Sequence, residues 1–167
     1  PPTRVVGELR PTRVETNHAF FDVLSAGWPR VRIAGQAGQT ITIGGRCSPD
    51  YNLPPLTFTL ATNGEAILEP RFAFLSGPLE LWVDGITNSL RPGAVTIQQV
   101  RADFDMAGTF TCSNPYFNKL HEVVMRTHLN YNIEHPIDPM REKDGWTQDV
   151  QTMFNTAAYL TDVSGLY

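Results

Sequence analysis

This 167-residue sequence has two cysteines, little charge and no long apolar run, and each shortage closes off a class of function. Cys47 and Cys112 form neither a metal-ligand spacing nor a redox pair, so they read as two buried thiols, with a long-range disulfide open to an exported protein. No metal and no cofactor are expected. Charged residues make up 18% of the chain, the formal charge is -4 and no basic run is present, which argues against nucleic acid as a partner. No apolar stretch approaches the roughly 18 residues that a membrane span needs, and the first residues hold no signal-peptide core. No membrane partner is expected, and the compartment stays open, with export slightly preferred over the cytoplasm.

What is present suits a folded protein. Hydrophobic residues reach 41%, and thirteen glycines and thirteen prolines fit a turn-rich, all-β portion. The length allows one ordinary domain, or a small domain plus part of another. Residues 1–111 read as short strands. Gln39-Thr40-Ile41-Thr42-Ile43 alternates apolar and polar, the two-residue period of a strand with one buried face. Similar runs occur at Arg30–Ile33, Arg71–Leu75, Glu80–Val83 and Val95–Ile97. Turn signals separate them at Gly35–Gly38, Pro49-Asp50, Asn63-Gly64, Gly77-Pro78 and Pro92-Gly93. Strands without intervening helices predict an antiparallel sandwich, with Trp28 and Trp82 in its core. No internal repeat or low-complexity tract interrupts this pattern.

The character changes near Cys112. Ser113-Asn114-Pro115 is a helix start, a capping side chain followed by a proline that suits the first turn. Tyr116, Leu120, Val123, Val124, Thr127 and Tyr131 then share one helical face. Pro136 and Pro139 end that helix. A second is expected from about Trp146, with Val150, Met153, Phe154, Ala157 and Leu160 along one side and Gly165 as its stop. Two such helices cannot complete a helical domain, so a complementary polypeptide is expected to cover them.

Between the helices, Asp138 to Asp149 hold four carboxylates, two cations and an indole in twelve positions. Cleaving a glycoside takes one carboxylic acid to protonate the leaving oxygen and a second carboxylate to act on water or on the anomeric carbon, while an aromatic face packs on the sugar ring. Glu142 is the candidate acid. Asp138 and Asp149 are placed to bind sugar hydroxyls and, as negative charges, to raise the proton affinity of Glu142. Arg141 pulls the other way. Trp146 offers an apolar wall, with Asp149 one helical turn further on. The plain alternative is a solvated loop with weak surface ion pairs. His121 and His128, seven apart on the first helix, lack a third ligand and read as structural or solvent-facing, whereas His135 is a further candidate for the pocket.

Asp138-Pro139-Met140-Arg141-Glu142-Lys143, with Gly145-Trp146 and Asp149, resembles the acid motif of the α-L-rhamnosidases of glycoside hydrolase family 78. Asp22–Trp28, Val31–Ile33, Gly38–Ile43, Arg71-Phe72 and Leu79–Leu81 resemble the sandwich that precedes the helical barrel in that family. Phe110–Pro115 followed by Leu120 resembles the entry into its first barrel helix. The resemblance implies an all-β sandwich over 1–111, followed over 112–167 by the first helices of an incomplete α/α-barrel. It implies Glu142 as general acid, and Asp138, Arg141, Trp146 and Asp149 as contacts to a rhamnose-containing glycan. Many members carry the aspartate one or two places earlier, so Asp138 is either a register-shifted substitute or a turn residue. Gln148 stands where many have glycine, which narrows the pocket. The family inverts the anomeric centre with a second, distant glutamate, expected here on a partner segment. The competing functions are a non-catalytic carbohydrate-binding sandwich with exposed aromatics such as Tyr51, and a related barrel hydrolase for another sugar.

Overall fold

The computed structural model describes residues 2–70, 79–133 and 144–165. The expected strand at Arg71–Leu75 and the Gly77-Pro78 turn lie outside these residues. Among the described residues nine strands precede two helices: β1 (Thr3–Leu9), β2 (Arg13–Glu15), β3 (His18–Phe20), β4 (Gly27–Gly35), β5 (Thr40–Ser48), β6 (Tyr51–Thr59), β7 (Gly64–Leu68), β8 (Glu80–Asp84), β9 (Val95–Ala102), α1 (Pro115–Tyr131) and α2 (Thr147–Leu160). A four-stranded sheet runs β1-β9-β4-β7 and a five-stranded sheet runs β2-β3-β8-β5-β6. The pairs β2–β3, β3–β8, β8–β5, β5–β6, β4–β7 and β4–β9 are all antiparallel. The chain divides into two compact units, Gly7–Gln99 and, together, Pro1–Val6 with Val100–Tyr167.

In the unit Gly7–Gln99 the two-residue period builds the core directly. Val31 and Ile33 of β4, Ile41 and Ile43 of β5, Leu81 and Val83 of β8, and Val95 and Ile97 of β9 are buried in one cluster. Each such side chain contributes about 1.5–3 kcal/mol when taken fully out of water. The intervening Arg30, Arg32 and Arg46 face outward. The same alternation moves the tryptophans out of the core. Trp28 and Trp82 are half-buried on the outer faces, because their neighbours Pro29, Leu81 and Val83 take the inward positions. Trp82 lies across Gly44, its partner on β5, where a Cβ would run into the indole.

Strand β6 contains Pro54-Pro55, which removes two ladder donors and confines it to an edge. Its register shifts there, so that both prolines oppose Gly44 in a bulge. The loop before β9 closes with a turn in which Ala94 donates to the Arg91 carbonyl at 2.9 Å. Pro92 sets its first central angle, and Gly93 adopts φ 80, which a side chain resists.

The second unit carries both helices. Asn114 caps α1, its side chain accepting from the Tyr116 amide at 2.9 Å, with Pro115 in the first turn. Neither Cys47 nor Cys112 forms a disulfide. Cys47 is buried as expected, whereas Cys112 is half-buried, since its backbone is held at the surface by reciprocal hydrogen bonds with the Asn118 side chain. Ala102, Phe104, Ala157 and Val163 form a small core, with Leu129 against it. Helix α2 ends at Leu160 rather than at Gly165. Thr161 leaves the helix in extended conformation, and its residue is drawn into a bridge with Met106.

The expected apolar face of α1 is covered only in part, with Val124 and Tyr131 half-buried. Tyr116, Leu120 and Val123 are exposed, Tyr116 by 68%, and so is Phe117. The buried side of α1 instead carries His128, followed by Asn132 and Ile133 at its end.

Candidate active site

Glu142, Asp138 and Arg141 lie outside the described residues, as does His135. What is described is the frame on both sides of them: the end of α1, and the start of α2 from Asp144.

The downstream side is built by Trp146. It is the N-cap residue of α2, with extended backbone (φ -98, ψ 108), and its carbonyl accepts from the Val150 amide at 3.0 Å. An indole N–H cannot accept, so the Trp146 side chain caps none of the first amides of α2. Asp149 lies in that first turn, where a negative charge is favoured by the helix dipole. Residues three apart on a helix share a side, so Trp146 and Asp149 are neighbours at the end of α2 nearest the motif. The indole is 47% exposed and Asp149 is exposed, as are Asp144 and Gln148. An exposed aromatic plane beside a carboxylate offers an apolar face and hydrogen-bond acceptors together, the two features a sugar ring requires.

The upstream side is held by a buried polar network that periodicity does not show. His128 is fully buried, with Nε2 2.7 Å from Thr161 Oγ1 and Nδ1 3.0 Å from Asn132 Nδ2. The Asn132 amide also donates to the His128 carbonyl at 2.8 Å. An amide nitrogen only donates, so Nδ1 accepts and the proton sits on Nε2, which donates to the threonine. Burial, and then the nearby Arg101 guanidinium, push the His128 pKa down to about 4. Phe104 stacks on the imidazole at 5.5 Å between centroids. Arg101 is itself lowered by burial, partly offset by Asp103, and its Nε has no hydrogen-bond partner among the described residues.

This network joins the last turn of α1 to the residue that ends α2. Backbone bonds extend it: Ala102 donates to the Asn132 carbonyl at 3.0 Å, and Thr3 Oγ1 donates to the Ile133 carbonyl at 2.6 Å. The chain therefore enters the motif from a fixed point at Asn132-Ile133. His128 is structural, one of the two roles its spacing allowed. Its partners Asn132 and Thr161 carried no signal beyond being small polar residues near helix ends. His121, the other helix histidine, is half-buried and stacks on Phe110 at 5.3 Å. Among the described residues no group of three His, Cys, Asp or Glu is arranged to hold a metal ion, and no helix is long and apolar enough to cross a membrane.

Residues 105–167 match the model of the bacterial alpha-L-rhamnosidase six-hairpin glycosidase domain. An alpha-L-rhamnosidase of Streptomyces avermitilis is 28% identical over 95% of this chain and 17% of its own length. The crystal structure of an Aspergillus terreus rhamnosidase superposes with a TM-score of 0.86 at 30% identity, covering 99% of this chain and 21% of that one. The structure of a Streptomyces avermitilis α-L-rhamnosidase complexed with L-rhamnose gives a TM-score of 0.85 at 26% identity, covering 98% of this chain and 18% of that one. The chain thus spans about a fifth, or less, of the length of each relative.

Proposed function

From a chain related to the α-L-rhamnosidases of glycoside hydrolase family 78 over nearly all its length, we propose that these residues form the sandwich and first helical hairpin of an enzyme that removes terminal α-L-rhamnose from glycans. The sandwich is assigned to 1–111 and the start of the barrel to 112–167. The observation that carries the reading is positional. The family match runs through the acid motif, and the motif's two flanks are an anchored helix end at Asn132-Ile133 and an exposed indole at Trp146.

In this reading Glu142 protonates the glycosidic oxygen as the bond breaks. Trp146 packs on the sugar ring, while Asp149, Arg141 and Asp138 bind its hydroxyls and orient the acid. A carboxylate base acts on water from the opposite face, giving inversion. That base and the remaining hairpins lie outside these 167 residues, further along the same polypeptide or on a second one. The exposed apolar side chains Tyr116, Phe117, Leu120 and Val123 of α1 support this, because such faces ordinarily pack on neighbouring helices.

The test is Glu142→Gln in the active enzyme, which keeps shape and loses the proton. Turnover of an alkyl α-L-rhamnoside should fall by a factor of about 10²–10⁴. Unchanged turnover would remove Glu142 from the chemistry and the proposal with it.

A further inference from the structure

In the unit Gly7–Gln99 two arginines line one cavity, far along the sequence from the acid motif. A cavity of about 340 Å³, within the range of small-molecule sites, is lined by Arg32, Glu65, Asn88, Ser89 and Arg91 over an apolar floor that includes Ile33 and Leu90. Two elements bring the arginines together. The Arg32 amide donates to the Ala94 carbonyl at 2.7 Å, and Ala94 closes the turn that begins at Arg91. Both guanidinium groups are therefore carried on a hydrogen-bonded frame, one on β4 and one on the turn before β9.

Neither arginine has an ion-pair partner among the described residues. Arg4, Arg10, Arg13, Arg30, Arg46 and Arg126 each hold a carboxylate, so the chain ordinarily pairs its arginines. Arg32 and Arg91 share a cavity and hold none. Glu65 lies opposite Ala34 across the β4–β7 pair, two positions along from Arg32 on the same face, and pairs with neither. The lining thus offers two planar forks for an oxyanion, with a carboxylate, an amide and a hydroxyl suited to hydroxyl groups.

We propose that this cavity binds an acidic sugar unit, with Arg32 and Arg91 on its carboxylate and Glu65, Asn88 and Ser89 on its hydroxyls. The choice of a sugar over a simple anion rests on the glycan reading above; the choice of a carboxylate rests on the two arginines. The site would hold a charged neighbour of the residue being cleaved, or a separate stretch of the same glycan.

D-glucuronate and D-glucose differ at C6, carboxylate against hydroxymethyl, and so isolate the charge. Titrated into the 167-residue chain and followed by amide chemical shifts, glucuronate should give saturable shifts in 86–94 and around Arg32. Glucose should bind at least about ten-fold more weakly, and Arg32→Gln and Arg91→Gln should each weaken glucuronate about ten-fold. Equal binding of glucose, no saturable shift, or indifference to both substitutions would overturn the proposal. Inorganic sulfate binding as tightly as glucuronate would also overturn it, leaving an anion site with no sugar recognition. Glu142→Gln should leave these titrations unchanged, so failure here is separable from failure of the catalytic reading.

Discussion

His128 shows how a single residue sets conditions for the whole helical unit. Its neutral form is favoured by burial and by the Asn132 amide that points at Nδ1, where a second proton would meet another donor. The folded pKa of about 4 lies below the ordinary 6.5, so between those values the unfolded chain binds the extra proton. The stabilisation is therefore complete above about pH 6.5 and is lost as the pH falls through 4, amounting to about 1–3 kcal/mol. Urea unfolding followed through the helical signal should show a midpoint falling over that window. His128→Ala should lower the midpoint at pH 7 and flatten its dependence between pH 6.5 and 4, since the Asn132 amide and the buried Thr161 hydroxyl would each lose the imidazole as a partner and a cavity would remain; that loss is about 2–4 kcal/mol. An unaltered pH dependence in the variant would assign the window to another group. None of this was visible beforehand. His128 offered only a spacing, and a hydrophobic pattern cannot register a buried histidine whose partners are an asparagine and a threonine.

At the scale of elements, the legible parts are those where side-chain period and boundary chemistry agree. Strands β4, β5 and β8 alternate, and Ser113-Asn114-Pro115 starts α1 where expected. The cap predicts its own test: Asn114→Ala removes the acceptor for the Tyr116 amide and should cost about 1 kcal/mol, whereas Asn114→Ser should restore most of it. Thermal unfolding of both variants reads the difference, and an equally stable alanine variant would mean that water replaces the cap. Less legible were β6, whose paired prolines hide a strand, and the tryptophans, whose bulk implied core. Trp82 is accommodated because Gly44 leaves room on the opposing strand. Gly44→Ala should therefore destabilise the sandwich by about 1–3 kcal/mol, and Trp82→Leu in the same chain should recover part of that loss. Additive losses in the double variant would show that the two residues are not in conflict.

For the molecule as a whole, sequence periodicity placed two helices and a sandwich, yet it could not say which helical faces are covered. Of the six residues it marked on one face of α1, Tyr116, Leu120, Val123 and Thr127 are exposed, whereas Val124 and Tyr131 are half-buried. A pattern reports that a face is apolar, whereas burial depends on a neighbour, and the first turns of α1 leave Tyr116, Leu120 and Val123 exposed. The relatives, of which this chain spans 17–21%, support further hairpins as that neighbour. The central claim is that Glu142 delivers the proton, and the leaving group tests it most directly. The rate on an alkyl α-L-rhamnoside, which needs protonation, should be compared with that on a dinitrophenyl α-L-rhamnoside, which departs unaided, in the enzyme and its Glu142→Gln variant. The account predicts a loss of about 10²-fold or more on the alkyl substrate and a far smaller loss on the dinitrophenyl one. Equal losses on both, or none on either, would contradict it.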